Sequence, residues 1–409
     1  MSSLCVICRG GRMLCGRAKC PIQSRIDAMR PLMRKIAKTS LFGASPPAVF
    51  VGRWGYPHVS VGPMVPPVRG EEARRLDDPP SWYGKGIEDV IGLRSKLVRS
   101  SFKASVRAVR RPGKLLELTQ ELAMSSNPVD MEVWLKKPPN LRIRYDGILS
   151  PMGPSGMIED ARLSENPTVD RAVDRIVSDH DALTTDALQE LYTRGIDVYQ
   201  AARLMSAGLL GMKKDRKLVP TRWAITAVDS NLGGHLRSRI DQSQEIYEIL
   251  LFSAEYLGNH FEILMLPGPY SFELIEMWLP RSVWVGDGPT QVVSDYEDWR
   301  PKTKYSLLSG GYYATRLAAL EYLNSIGRQA KILAIREISP SYWAPLGVWV
   351  VRETARQAFA GEPHRFDTVE GAVEFMAHKF KVQKSRWAAE STLLRELREQ
   401  LKLEQFVGR

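Results

Sequence analysis

The sequence predicts a mixed α/β protein of the α+β kind, with a small four-cysteine module at the front, a large mixed core and a flexible C-terminal tail. Three observations point there. Amphipathic helical stretches and short apolar, β-branched runs both occur, without the regular strand–helix alternation of a doubly wound sheet. All four cysteines fall within the first twenty residues. The chain has 409 residues, more than one ordinary core needs, and its 44% hydrophobic and 25% charged content is ordinary for a folded protein.

Residues 1–38 are the first segment. Cys5, Cys8, Cys15 and Cys20 are spaced C-x2-C-x6-C-x4-C. Four thiolates around Zn²⁺ need two short chelating loops, and Cys5-Val-Ile-Cys8 has the spacing of the first. Gly10 and Gly11 allow backbone N–H groups to turn toward the sulfurs, and Arg17 and Lys19 are expected to offset the thiolate charge. Zinc is therefore the expected cofactor. An iron–sulfur cluster uses the same ligand set. Paired disulfides need an oxidising compartment, and the N-terminus shows no apolar leader, so a cytoplasmic location is expected. Ser24–Lys38 reads as a basic amphipathic helix closing this segment.

The core follows as two expected parts, 39–240 and 241–390, with a helix and tail over 391–409. Glycine, proline and β-branched pairs over 43–70 predict strands and tight turns, among them Gly52-Arg53-Trp54-Gly55-Tyr56-Pro57. The stretch 86–111 predicts a helix carrying Lys96, Arg99, Lys103, Arg107 and Arg110 on one stripe, ended by Pro112-Gly113. Asp170–Ala207 is helical in pattern. Apolar runs predict strands at Trp223–Val228, Phe261–Leu266, Ala330–Ile335 and Gly347–Val351. Helices are expected at Ser243–Tyr256, Tyr312–Ile326 and Thr368–Phe380.

The formal charge of +11 is concentrated. Residues 1–38 hold nine Lys/Arg and one acid, and Arg94–Lys114 hold eight and none. A nucleic acid, DNA above all, is the expected partner, because an anionic membrane would also ask for an apolar insertion face. No run of 18 apolar residues is present to span a bilayer. The chain lacks G-x-x-x-x-G-K-[ST], G-x-G-x-x-G after a strand, H-E-x-x-H and G-x-S-x-G, which disfavours an ATPase, a Rossmann dehydrogenase and a histidine-based metalloenzyme.

Two constellations carry the remaining chemistry. Lys213–Trp223 packs Lys214, Arg216, Lys217 and Arg222 around Pro220 and leads into the run ending at Asp229. Cations at the mouth of a buried strand hold phosphate, and a carboxylate at the strand's exit suits a general base; a solvated basic loop is the plain alternative. Arg336-Glu337 and Arg352-Glu353 read as structural ion pairs, and Ser309-Gly310-Gly311 before a helix bearing Arg316 as a weak anion signal. At the end of the chain Gln400, Leu403 and Phe406 match the clamp-docking pattern Gln-x-x-aliphatic-x-x-aromatic-aromatic, with Val407 in place of the second ring. One helical turn brings Leu403 and Phe406 to the same side.

Taken together, these segments resemble the archaeal Nre family of DNA repair proteins over nearly the whole chain. The likeness rests on Leu14-Cys15-Gly16-Arg17 with Cys20-Pro21-Ile22, Gly52–Pro57, Lys214–Trp223, Ser309-Gly310-Gly311-Tyr312-Tyr313, Pro345-Leu346-Gly347-Val348-Trp349 and the tail. It implies action on damaged DNA and docking to a sliding clamp of the proliferating-cell-nuclear-antigen type. The first expectation is a clamp-recruited repair factor binding DNA or a nucleotide lesion. Any hydrolysis would use Arg53, Lys214, Arg216, Lys217 and Arg222 for phosphate and Asp229 as base. A non-catalytic adaptor and a zinc-containing RNA-processing protein are the alternatives.

Overall fold

A computed structural model describes residues 7–8, 12–17, 19–140, 153–300 and 302–407, with side chains as far as 399. The fold is mixed α/β. Two compact units share it, the N-terminal one over residues 21–232 and the C-terminal one over 233–409 together with the first twenty residues. No described helix is long and apolar enough to cross a membrane.

The N-terminal unit is built on a six-stranded sheet of β1 (Ser40–Ser45), β2 (Val49–Val51), β3 (His58–Val65), β4 (Val98–Ser105), β5 (Val129–Leu135) and β6 (Ser155–Leu163), in the order β1-β5-β6-β4-β3-β2. Only β4 and β6 run parallel. Strand β5 shows why: Val129, Met131, Val133 and Leu135 are buried while Asp130, Glu132 and Trp134 are less so, the alternation of a half-buried strand. Those four side chains join Leu32 and Ile36 from the α1 segment (helix Pro21–Lys35 and the residue that follows) and Leu118 and Leu122 from α3 (Lys114–Met124) in one core. Each fully buried member contributes about 1.5–3 kcal/mol. Helices α4 (Arg171–Ser178) and α6 (Val198–Ser206) begin where Asp170 and Asp197 accept backbone N–H groups, and α5 (Thr184–Thr193) lies between them.

The basic stretch departs from its predicted helix. Helix α2 covers only Ile87–Ser95; β4 then takes Val98–Ser105, and a 3₁₀ turn takes Val106–Arg110. Val98, Phe102 and the serines between them suit an edge of the core better than a helix face. Arg99 and Lys103 therefore share a strand face, while Arg107 and Arg110 sit on the turn. The single stripe does not exist.

Helix α7 (Thr221–Ile240) carries the chain from one unit into the other. A strand was expected at Trp223–Val228. The overlooked signal is spacing by four: Ala224, Val228, Leu232, Leu236 and Ile240 are all buried.

The C-terminal unit holds β7 (Ile249–Tyr256), β8 (Asn259–Leu266), β9 (Ser271–Trp278), β10 (Gln291–Glu297), β11 (Lys331–Ile338) and β12 (His364–Phe366), in the order β10-β9-β11-β8-β7-β12. β9 and β11 are parallel neighbours. One face is covered by α10 (Val369–Lys379), α11 (Lys384–Glu390) and the start of α12 (Thr392–Val407), through Met376, Trp387, Leu393 and Leu394. On the other, Phe252 of β7 meets Tyr322 of α8 (Gly310–Ile326) and Phe359 of α9 (Trp349–Ala360). Two expectations fail here. Ser243–Tyr256 is not a helix, since β7 pairs with β8 across the two-residue turn Leu257–Gly258, both at positive φ. Gly347–Val351 opens α9, whose buried positions 350, 351, 354, 355 and 358 have helical spacing.

Candidate nucleic-acid interface

The site centres on the tip of the β2–β3 hairpin. Gly55 accepts from His58 N–H at 2.8 Å across Tyr56 and a cis Pro57, which is a type VI turn. Gly55 sits at φ +83°, and a Cβ there would meet the His58 carbonyl at 2.8 Å, so the turn requires glycine. Trp54 and Tyr56 stand out from it, 62% and 50% exposed.

Two other segments are tied to this tip. Val106 N–H donates to Pro57 O and Leu218 N–H to Val106 O, each at 2.8 Å. Val51 N–H donates to Thr221 Oγ1 at 2.9 Å, in the first turn of α7. The next residues, Arg222 and Trp223, are exposed, Trp223 by 47%. The Trp223 and Tyr56 rings lie 5.6 Å apart at 49°. Thus Gly52–Pro57 and Lys214–Trp223, distant in sequence, form one surface with the turn Val106–Arg110.

The predicted phosphate-binding residues divide on it. Arg53 stands over the Trp54 ring with its guanidinium carbon 4.8 Å from the centroid. Lys103, Arg107, Lys214, Lys217 and Arg222 are exposed, and among the described residues none of the five is in an ion pair. Arg216 differs. It is buried and donates to the carbonyls of Gly211, Val177 and Asp179, so it clamps its own loop instead of facing a ligand. Burial pushes its pKa below the usual guanidinium value, with Asp179 opposing. Lys96 pairs with Glu72 at 2.9 Å, and Arg99 lies over Phe50.

Asp229 is 1% exposed and lies in the middle of α7, not at a strand exit. Eight residues past Thr221, it is about 12 Å along the helix from the basic surface. The three aromatic side chains escaped the sequence reading, although tryptophan and tyrosine in a Gly/Pro turn and directly after Pro220 were signals for exposed rings.

The cysteine segment belongs to the other unit. Cys5 lies outside the described residues; Cys8 is buried, and Cys15 and Cys20 are half-buried thiols. Gly16, at φ +64°, donates to Met13 O at 3.0 Å, turning the chain between Cys15 and Arg17. Arg17 donates to the carbonyls of Val283 and Trp343, which ties the cysteine segment to its unit. Among the described residues no three His, Cys, Asp or Glu side chains converge as a metal-holding group.

The same unit buries most of the charged pairs noted in the sequence. Arg336 donates to Glu276 Oε1 at 2.5 Å and to Asn259, while Glu337 accepts the N–H groups of Lys381 and Val382. Desolvation raises the Glu276 pKa, opposed by Arg336. Gly311 admits this pair: a Cβ there would meet Glu276 Oε1 at 2.8 Å. Arg316, placed by α8, pairs with Glu297 at 3.1 Å. Glu353 accepts from Arg356 at 3.0 Å. Glu273 accepts from Ser391 Oγ and from the N–H groups of Thr392 and Leu393, capping α12 from the sheet. The side chains of Gln400, Leu403 and Phe406 lie outside the described residues; their backbone continues α12.

Comparison with known proteins fits this picture. Residues 14–285 match the family model described as archaeal Nre, N-terminal, and residues 297–406 that described as archaeal Nre, C-terminal. The first match runs past α7 through β9, so its limit is not the boundary between the structural units. DNA repair protein NreA of Archaeoglobus fulgidus is 41% identical over 391 residues, 95% of this chain and 96% of the relative. DNA repair protein NreB of the same organism is 38% identical over 96% of this chain and 97% of its own. NreA of Haloferax volcanii is 37% identical over 87% and 86%. No solved structure matches the chain. With two family models spanning most of its length and relatives aligned nearly end to end, the chain belongs to the archaeal Nre family.

Proposed function

We propose that this chain is a DNA repair protein that binds DNA through the hairpin-tip surface of its N-terminal unit and docks on a sliding clamp through its C-terminal tail. The repair role is supported by near full-length similarity to relatives named DNA repair proteins. The DNA-binding role is carried by one observation: Lys103, Arg107, Lys214, Lys217 and Arg222, exposed and in no ion pair among the described residues, lie on segments bonded to the hairpin tip that carries the exposed rings. Cations without protein partners neutralise phosphates at no cost in broken pairs. Filter or anisotropy titration of the full chain with DNA tests this; no affinity for DNA at low salt would overturn it.

Clamp docking rests on Gln400, Leu403 and Phe406, with Val407 weakening the fit. The cap at Glu273 and the burial of Leu393 and Leu394 root α12 upstream of those residues. Removing 400–409 is expected to abolish clamp binding and leave the melting temperature nearly unchanged. A large drop would make the tail part of the core. Zinc held by Cys5, Cys8, Cys15 and Cys20 completes the proposal, supported by the donor set and by the turn at Gly16. Elemental analysis should find about one zinc per chain, lost when Cys5 and Cys8 become serine; iron with acid-labile sulfide would replace zinc by a cluster. Hydrolysis by Asp229 is not part of this reading, because its burial within α7 separates it from the basic surface.

A further inference from the structure

We infer that Trp54, Tyr56 and Trp223 form a stacking platform for unpaired nucleobases, so that this surface selects single-stranded over intact duplex DNA. The inference rests on the DNA-binding reading above and goes beyond it in naming the strand state. Large rings at 62%, 50% and 47% exposure, gathered on one surface, are unusual on a soluble chain and mark a contact. Every base presents a π face, so rings beside cations recognise unpaired strands whatever their sequence.

The geometry narrows the mode. A base clamped between two rings needs two stacked layers, about 7 Å in all. Tyr56 and Trp223 are 5.6 Å apart and inclined at 49°, too close and too tilted to sandwich one. Bases must therefore lie on the outer faces of the rings, one after another. The Arg53 guanidinium over Trp54 leaves the rest of that ring open and adds a cation beside the stacked base. Lys103, Arg107 and Arg222 are exposed on segments bonded to the hairpin and would meet the phosphates that follow. The type VI turn at Gly55 and the Val106–Pro57 and Val51–Thr221 hydrogen bonds hold the rings in place before binding, which limits the ordering cost. In a duplex the base faces are already stacked and cannot reach the platform.

The experiment uses the full chain with a fluorescein-labelled (dT)20 and a 20-base-pair duplex at several salt concentrations. Wild type should prefer the single strand. Trp54→Ala with Trp223→Ala should lower single-strand affinity about tenfold or more per ring, change duplex affinity less than twofold, and leave the salt dependence unchanged. Trp54→Phe with Trp223→Phe should restore most of the loss, which a folding defect would not allow. With wild type, 2-aminopurine placed in the single strand should be quenched on binding. Equal affinity for both DNAs, parallel loss of both in the alanine variant, or unquenched aminopurine overturns the platform while leaving DNA binding intact. Wild type that binds neither DNA overturns the DNA-binding reading itself, and the platform with it.

Discussion

Two sets of charges, one in each unit of this protein, do different work. In the C-terminal unit Glu262, which accepts from Ser253 Oγ, and Glu273, Glu276, Arg316, Arg336 and Glu337 are buried in or beside the sheet, and each has a partner. In the N-terminal unit Lys103, Arg107, Lys217 and Arg222 are exposed, with no ion pair among the described residues. Buried ions are kept only where a partner compensates desolvation, so they report on architecture. Exposed cations with no ion pair among the described residues do not hold the architecture together, and on the function proposed above the rings exposed beside them face a ligand. In this chain a charged residue within an apolar strand signals packing.

The strongest way to break this contrast is through Arg336. Arg336→Ala strands Glu276 at 4% exposure and leaves Asn259 without its guanidinium. The expected loss is about 3–5 kcal/mol, read by chemical denaturation. DNA affinity of the folded fraction should not change. If affinity fell with stability preserved, the buried pair would have a ligand role and the contrast would fail.

Next in size is Glu273→Ala, which removes the acceptor for Ser391, Thr392 and Leu393. Leaving these donors unpaired costs about 1–3 kcal/mol. Glu273→Gln should cost less, because burial already pushes this carboxyl above the usual range and an amide oxygen still accepts. Amide exchange over 391–397 should speed up in the alanine variant and far less in the glutamine one. Unchanged exchange would mean that Leu393 and Leu394 alone root α12.

Much of this arrangement is legible in the sequence where a single period governs. Phe261–Leu266 and Tyr312–Ile326 fall within elements of the expected type, Ala330–Ile335 and Thr368–Phe380 overrun theirs by a residue at one end or both, and Asp170–Ala207 is helical but broken into three helices. Misreadings occur where an apolar run is too short for its period to declare itself, as at Trp223–Val228 and Gly347–Val351. Both lie at the starts of helices that follow a proline within four residues. The basic stretch at 86–111 departs from its expected helix because Val98, Ser100 and Phe102 alternate like a strand beneath the helical spacing of its charges. Membership of the interface depended on pairing between segments far apart in sequence, which local pattern does not encode. The contact of Thr221 with Val51 joins residues 170 positions apart.

A smaller energetic effect, though large in binding, is expected from Lys103→Ala, Arg107→Ala and Arg222→Ala together. None is in an ion pair among the described residues, so stability should stay within about 0.5 kcal/mol. If each neutralises one phosphate, the log–log salt slope should flatten by about 2.7 on duplex DNA and about 2.1 on a single strand. An unchanged slope would place the phosphate contacts elsewhere on the chain.

The smallest effects should come from Lys96 and Arg99, which the sequence put on the same stripe as Lys103 and Arg107. Lys96 already pairs with Glu72 at 2.9 Å, with both side chains substantially exposed. Such a pair contributes about 0.2–1 kcal/mol. Arg99 lies over Phe50 at 4.8 Å, an interaction worth about 0.5–1 kcal/mol at such a site. Alanine at either position should therefore lower stability slightly and leave the salt slope where it is. A lysine must break its pair with Glu72 before it can neutralise a phosphate, whereas Arg107 and Arg222 need break nothing. Matched titrations of Lys96→Ala and Arg107→Ala decide the matter. A slope that flattens equally in both would show that pairing to a surface carboxylate does not withdraw a cation from DNA, and the division of this unit into engaged and available charges would have to be redrawn.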